Sequence, residues 1–394
     1  MRVLIAAVTA PSRLNGVSRH AANLARGLLS LSEPPEIHFV AGAWQQQMFA
    51  DAGPGAHAKL HYHWIPLKNT SIHRVAWYAT ELPHVAAQIE ADLVHYACPA
   101  LLSSRAFRCP VLVSLHDLYP FDIPENFGLV KGAINRQLMR RCLRNASAIA
   151  CVSESTRLRL SRWLGEEAAA RAQTIPNAVE PFACSSGRAP YPLRQREPFL
   201  LCVAQHRRNK NIPLVLSIFD EALRQRVLPG ETRLLVVGIQ GPETAAIQRR
   251  MRALKIENKV VLMSGLSEAE LHWCYRNAKL VLAPSRIEGF GLPVVEALIA
   301  GCPVVCSDIP AFREVGGDLC RYVAFEGDTV AAYAHAIREV VTEPRRPAAQ
   351  FPGLSRATVA AKFLALYRKL TGFQEVPQCG MMQHPDAWMG RAAR

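Results

Sequence analysis

The sequence predicts an α/β protein in which a parallel sheet is built twice, and three observations carry that prediction. Short β-branched and aliphatic runs alternate with amphipathic helical stretches, as in 3–8 followed by 17–29 and again in 199–204 followed by 213–226. The 394 residues exceed what one hydrophobic core accommodates, since domains usually run to about 100–200 residues. Residues 181–198 collect four prolines, a Ser-Ser-Gly run and several charges without periodicity, which is linker chemistry between two such units.

Taken in order, the first unit (1–180) offers strands at 3–8, 37–40, 93–96, 111–115, 148–152 and 172–175. The opening Met1-Arg-Val-Leu-Ile has a single Arg and a short apolar core, so it reads as a buried strand and not as a signal peptide. After the linker, the second unit (199–354) offers strands at 199–204, 233–238, 260–263, 280–283 and 304–306. A helix follows over 355–372, and 373–394 lacks pattern and reads as a loose tail. No apolar run approaches the ~20 residues of a spanning helix. Eleven cysteines, an odd number without any Cys-x-x-Cys, fit a reducing compartment, and the cytoplasm is the expected setting. The net charge of +14 points to an anionic partner: nucleic acid, lipid headgroups or a nucleotide diphosphate.

Chemistry concentrates between 280 and 305. An apolar strand ends at Pro284, a loop carries Glu288, Gly289 and Gly291, and Pro293 suits the start of a helix that stops at Gly301. Ligands of open α/β sheets collect at the carboxyl ends of strands, and a helix N-terminus there offers unpaired N–H groups to a phosphate. Glu288 and Glu296 stand eight residues apart, one in the loop and one near the start of the helix. Carboxylates beside a phosphate site repel the phosphate, so the pair makes sense for a ligand that also carries hydroxyls, such as a nucleotide sugar. Taken singly, Glu288 is also what a solvated loop contains and Glu296 what a helix dipole favours.

The run Glu288-Gly-Phe-Gly-Leu-Pro-Val-Val-Glu-Ala resembles the paired-glutamate signature of retaining GT-B glycosyltransferases of family 4. Ser264-Gly-Leu-Ser-Glu-Ala-Glu-Leu, Tyr275-Arg-Asn-Ala, Pro303-Val-Val-Cys-Ser and Glu314-Val-Gly-Gly-Asp follow the same family order. In the first half Asn15-Gly16-Val-Ser, Ser114-Leu-His116-Asp117, Val152-Ser-Glu-Ser-Thr and Ile175-Pro-Asn-Ala-Val match more thinly. The resemblance implies two Rossmann-like domains facing a central cleft, with the C-terminal helix returning to the N-terminal, acceptor-binding domain. It implies that Glu296 holds ribose hydroxyls and that Glu288 contacts the donor sugar. Gly289, Phe290, Gly291 and Leu292 would present backbone to sugar or diphosphate, with Gly265 and Leu266 nearby. Gly16 would leave space for the diphosphate from the other lobe, and His116 would face the sugar near the reacting carbon.

Lys210, in Val203-Ala-Gln-His-Arg-Arg-Asn-Lys, falls where family members place a diphosphate-binding lysine. The sequence departs from the pattern here, with Ala204 in place of the usual Gly and an upstream Arg absent, so Arg207 or Arg208 is the expected substitute. No Asp-x-Asp occurs, so no metal or other cofactor is expected and Lys210 with a neighbouring Arg would neutralise the leaving diphosphate. The expected activity is retaining transfer of a sugar (mannose, rhamnose or glucose) from a nucleotide-sugar donor to a glycan or lipid-linked acceptor in bacterial surface polysaccharide assembly, lipopolysaccharide included. The rivals are a GT-B-like sugar-nucleotide epimerase and a non-catalytic GT-B scaffold.

The stretch 131–162 carries Lys131, Arg136, Arg140, Arg141, Arg144, Arg157, Arg159 and Arg162, with Ile134, Leu138 and Cys142 on another face. It suits peripheral attachment to the anionic inner face of the plasma membrane, and equally a solvated basic helix. Nucleic acid is disfavoured, since no zinc spacing, aromatic RNA-binding signature or DNA-binding motif accompanies the charge.

Overall fold

A computed structural model describes residues 1–181, 188–193 and 197–373. Half of the expected linker (182–187 and 194–196) and all of the expected tail after Phe373 (374–394) lie outside the described residues.

The first sheet has seven parallel strands, β1 (Arg2–Ala6), β2 (Glu36–Gly42), β3 (Leu60–Ile65), β4 (Leu93–Tyr96), β5 (Val111–Leu115), β6 (Ala148–Cys151) and β7 (Ala172–Thr174), in the order β3-β2-β1-β4-β5-β6-β7. The second has six, β8 (Phe199–Val203), β9 (Arg233–Val237), β10 (Val260–Met263), β11 (Val281–Ala283), β12 (Val304–Ser307) and β13 (Arg321–Val323), in the order β10-β9-β8-β11-β12-β13. Fourteen helices accompany them among the described residues. In the first half these are α1 (Gly16–Leu29), α2 (Gln46–Ala52), α3 (Ser71–Gln88), α4 (Tyr119–Asp122), α5 (Leu129–Asn145), α6 (Glu154–Leu164) and α7 (Glu166–Ala170). In the second half they are α8 (Ile212–Arg224), α9 (Thr244–Leu254), α10 (Glu268–Asn277), α11 (Leu292–Ile299), α12 (Pro310–Gly316), α13 (Thr329–Thr342) and α14 (Arg356–Thr371).

Both sheets are doubly wound, and burial explains why. Along β1, Val3 and Ile5 enter one core while Leu4 and Ala6 enter another, so each face needs its own helical cover. Core strands therefore read as continuous apolar runs. In each sheet the strand order reverses once, between β1 and β4 and between β8 and β11, and such switch points open a crevice at the carboxyl ends. The loops that leave β1, β8 and β11 carry Gly16, Lys210 and Glu288 respectively, so the topology delivers all three to one region.

The last helix crosses back to the first sheet, as the family resemblance implied. Ser355 caps α14 by accepting from Thr358 N–H, and Phe363 and Tyr367 are wholly buried in the core formed by β1, β2 and α1. Two strands, β3 and β13, had no counterpart in the sequence reading; β3 alternates His61 and His63 with Tyr62 and Trp64, and β13 is three residues long.

Candidate active site

The Glu288 loop follows β11 and ends where α11 begins. Gly291 caps α11 with φ at 108°, a left-handed value that L side chains resist, and Pro293 occupies the first turn where its missing N–H is harmless. Glu296 lies in the second turn, deeper than the sequence reading placed it. A side chain at Gly289 would bring its Cβ to 1.7 Å from the backbone oxygen of His116, so only glycine lets this loop press against the end of β5. The two lobes meet here. Ser153 and Thr156 of the first lobe both donate hydroxyls to Gly289 O, and the Arg159 guanidinium donates to Glu288 O at 2.7 Å.

Each glutamate takes one partner from each lobe. Glu288 accepts from the Lys210 ammonium at 2.6 Å through Oε1 and from the Tyr119 hydroxyl at 3.1 Å through Oε2. Glu296 accepts from the Tyr275 hydroxyl at 2.8 Å through Oε2 and faces the Arg19 guanidinium at 3.2 Å through Oε1. Both carboxylates are buried. Burial pushes the Glu296 carboxyl above its ordinary range, with Arg19 and the Tyr275 hydrogen bond pulling the other way. Glu296, Leu292, Arg19, Asn23, Arg26 and Glu180 line a pocket of about 160 Å³ between the lobes.

Lys210 is positioned by the turn after β8. The backbone of Asn209 in that turn accepts from Arg286 N–H at 2.8 Å, and its buried side chain donates to Ile287 O, which ties this loop to the Glu288 loop. Arg207 and Arg208 are exposed beside it. Arg207 is the one whose charge reaches the first lobe, where it helps hold down the Asp117 carboxyl that burial pushes up. Gly16 opens α1 under an Asn15–Ser18 capping box, and a Cβ built on it would sit 3.8 Å from Leu292 Cδ1. Gly265, with φ at 75°, and Leu266 turn the chain after β10, with Leu266 packed on the core beneath α11; Phe290 is buried in that same core.

His116 is held by a buried network that sequence reasoning missed. Its Nε2 lies 2.9 Å from Ala97 O, which accepts only, so Nε2 carries the proton. The ring stands edge-on to His20 at 4.7 Å. Beneath it, Tyr367 OH, His95, Ser114, His20 and Asn177 form a chain of hydrogen bonds at 2.6, 2.8, 3.0 and 3.0 Å. Asn177 Oδ1 can only accept, so His20 donates to it. Ser114 must then donate to His20, His95 to Ser114, and Tyr367 to His95. Burial lowers the His116 imidazole to about 4 and the His95 imidazole to about 3, so both are neutral at pH 7. His116 thus brings hydrogen-bonding capacity and no charge.

The basic stretch 131–162 does not form one face. It spans α5 and α6, and Arg159 turns inward to Asp122 at 2.8 Å and to the Glu288 loop. Arg157 pairs with Glu154, while Arg136 and Arg140 lie against Pro120 O and the Phe121 ring. Lys131, Arg141 and Arg144 remain exposed on α5, whose start also exposes Leu129, Val130 and Ile134. Among the described residues no helix is long and apolar enough to cross a membrane.

Sequence reasoning found Glu288, Glu296 and Lys210 but not Arg19, Tyr119 or Arg159, which carry no local signature. Tyr275 lies in a stretch that matched the family, without a role attached.

Comparison with known proteins places the chain in a family. Residues 186–351 match the family model of glycosyl transferases group 1, and 14–181 match that of glycosyltransferase family 4, so together the two models span most of the chain. O-antigen chain mannosyltransferase B of Escherichia coli is 25% identical over 377 residues, covering 91% of this chain and 95% of that protein. O-antigen chain mannosyltransferase RfbU of Salmonella typhimurium is 23% identical over 256 residues, covering 64% and 68%. Among solved structures, sucrose-phosphate synthase from Thermosynechococcus elongatus superposes with a TM-score of 0.67 at 16% identity, covering 94% of this chain and 99% of that one. WaaG, a glycosyltransferase involved in lipopolysaccharide biosynthesis, gives 0.63 at 16% identity, covering 95% and 96%. The chain therefore belongs to the group 1 glycosyltransferases of family 4, and is a nucleotide-sugar-dependent glycosyltransferase of GT-B fold.

Proposed function

We propose that the protein transfers a hexose, mannose first among the candidates, from a nucleotide-sugar donor onto a glycan or lipid-linked acceptor of bacterial surface polysaccharide, with retention at the anomeric carbon. The observation that carries this reading is the placement of Glu288, Glu296 and Lys210 in one interlobe cleft, two hydroxyl acceptors and one cation on the carboxyl ends of parallel strands. The choice of mannose and of surface polysaccharide draws on the names of the two mannosyltransferases above.

In this mechanism Glu296 accepts from the ribose hydroxyls and Glu288 from the donor sugar. Lys210, with Arg207 beside it, stabilises the charge that develops on the departing diphosphate. Neutral His116 keeps Nδ1 as an acceptor for a sugar hydroxyl near the reacting carbon. The acceptor hydroxyl attacks from the face the diphosphate leaves, passing its proton to a leaving-group oxygen, so no protein carboxylate nucleophile is required. No metal is assigned to the diphosphate. The exposed Leu129, Val130, Lys131, Arg141 and Arg144 of α5 bring the first lobe to an anionic membrane where a lipid-linked acceptor resides.

A thermal-shift screen over GDP-, UDP-, ADP- and dTDP-sugars identifies the donor, because a ligand of the folded state raises apparent stability. Incubation of the selected donor without acceptor then separates the classes. Slow release of free sugar supports the transferase. Interconversion of the donor would instead reveal an epimerase, and inertness with every donor a scaffold.

A further inference from the structure

At the far end of the first sheet from the cleft, β2 and β3 place three histidines and a glutamate on one face. The parallel register pairs His38 with His61 and Val40 with His63, so Glu36, His38, His61 and His63 share the side opposite Ile37, Phe39 and Tyr62. The rings stack, His38 on His61 at 4.8 Å between centroids and His38 on His63 at 5.2 Å. Glu36 Oε1 lies 3.5 Å from His38 Nε2 and 3.2 Å from His61 Nε2, and the three atoms fall within 4.8 Å of one another.

The two carboxylate–imidazole separations, 3.5 and 3.2 Å, match the edges of a coordination shell. Zinc binds imidazole nitrogen and carboxylate oxygen at about 2.0–2.2 Å, so a tetrahedral site spaces its donor atoms about 3.3–3.5 Å apart. His38 Nε2 is buried with no well-formed hydrogen bond, its contact to Glu36 Oε1 being long at 3.5 Å, which is costly unless something takes its lone pair. Its other nitrogen, Nδ1, lies 3.0 Å from His63 Nε2, the outer partner that a metal-ligating imidazole needs to fix its tautomer. Arg2 sits 3.4 Å from the second oxygen of Glu36, which leaves Oε1 for a monodentate bond.

We propose that Glu36, His38 and His61 bind one zinc-like divalent ion at this sheet edge, with His63 as the positioning residue and the fourth position open to water. Glu36 opens β2 and His61 is the second residue of β3, at the amino ends of strands whose carboxyl ends face the cleft, so the ion would fasten edge strand β3 to β2 and take no part in transfer.

The test uses untagged full-length protein, stripped with EDTA and titrated with zinc chloride against a chromogenic chelator. The expected result is one equivalent bound at micromolar affinity or better, with the melting temperature raised by a few degrees at saturation. His61→Ala, at a half-exposed position that tolerates truncation, should weaken zinc at least tenfold; His63→Ala should weaken it about 10- to 100-fold through orientation alone. His57→Ala, outside the set, should bind as wild type. Transfer activity of His61→Ala should equal that of wild type, which separates this site from the cleft. Affinity weaker than millimolar, or zinc binding unchanged in the His38→Ala/His61→Ala double variant, would overturn the assignment and leave only stacked rings. Should the double variant misfold, the Glu36→Gln variant, which keeps shape and loses the charge, decides the same question.

Discussion

Glu296→Gln separates what the residue does for the donor from what it costs the fold. In the folded protein the carboxyl is buried and its proton is held more tightly than at the ordinary glutamate value of 4.5. A group whose folded-state pKa is raised supports folding below its unfolded value and loses that contribution as pH climbs through the raised value. At pH 7.5 the wild type therefore carries a buried charge that the amide does not. The amide oxygen still accepts from the Tyr275 hydroxyl, which turns the amide nitrogen toward Arg19, and that guanidinium keeps Glu268 at 3.8 Å in place of the lost acceptor. The variant should melt above wild type at pH 7.5 and alongside it near pH 4. Donor binding should move the opposite way. A charge-assisted hydrogen bond contributes about 1.5–3 kcal/mol, so replacing the Oε1 acceptor by an amide N–H should raise the donor Kd about 10- to 150-fold by calorimetry. A donor Kd within twofold of wild type would refute the ribose assignment. A variant less stable at pH 7.5 would refute the account of Glu296 as a residue kept at the expense of stability.

Lys210→Ala should lower kcat far more than it raises the acceptor KM, because the proposal assigns its charge to the departing diphosphate; unchanged turnover would remove it from the site. The same variant should be destabilised by about 3–5 kcal/mol in denaturant titration, since Glu288 is left buried without its cation. Initial transfer rates in excess EDTA should equal untreated rates, and a loss restored by manganese or magnesium would demand a ligand set at the diphosphate. Wild-type protein should float with vesicles containing phosphatidylglycerol at 0.1 M salt and sink at 1 M. Changing Lys131, Arg141 and Arg144 to Gln removes about 3 kcal/mol of attraction and should abolish flotation; equal flotation would make α5 an ordinary solvated helix.

The features legible in the sequence are those encoded locally. Apolar runs between turn signals located eleven of thirteen strands because both faces of each sheet are covered, so its strands lack polar alternation. β3 escaped for the converse reason: it is an edge strand with no fully buried residue, and its His61 and His63 alternate with Tyr62 and Trp64 in a pattern that resembles a polar loop. The Glu288 to Glu296 run was readable because a strand, a left-handed glycine, an early proline and a helix must follow in that order. Its partners were not, since Arg19 meets Glu296 across 277 positions and Tyr119 meets Glu288 across 169. Only the fold joins those pairs, and neither Tyr119 nor Arg19 differs locally from any other residue of a loop or helix. The basic stretch shows the same limit: its eight cations, close in sequence, lie on two helices, and Arg159 alone of them reaches the Glu288 loop by a hydrogen bond among the described residues.

That pattern of partners has a mechanistic consequence. The groups assigned to the donor are also the groups that join the lobes: Arg19 on Glu296, Tyr119 on Glu288, Arg159 on the carbonyl of Glu288, and His116 against Gly289. A donor hydroxyl that approaches Glu288 Oε2 shares an acceptor with Tyr119, and a ribose hydroxyl at Glu296 Oε1 shares one with Arg19. Donor binding and lobe closure thus draw on the same few bonds, so neither can be strengthened without changing the other. Within a lobe the arrangement is different. The Lys210–Glu288 and Tyr275–Glu296 pairs, and the Asn209 tie between the Lys210 and Glu288 loops, lie wholly within the second lobe. On the proposed assignment, the charge at the diphosphate would be set by the second lobe, which carries Lys210, and the fit of the sugar by the first-lobe groups that reach Glu288 and Glu296.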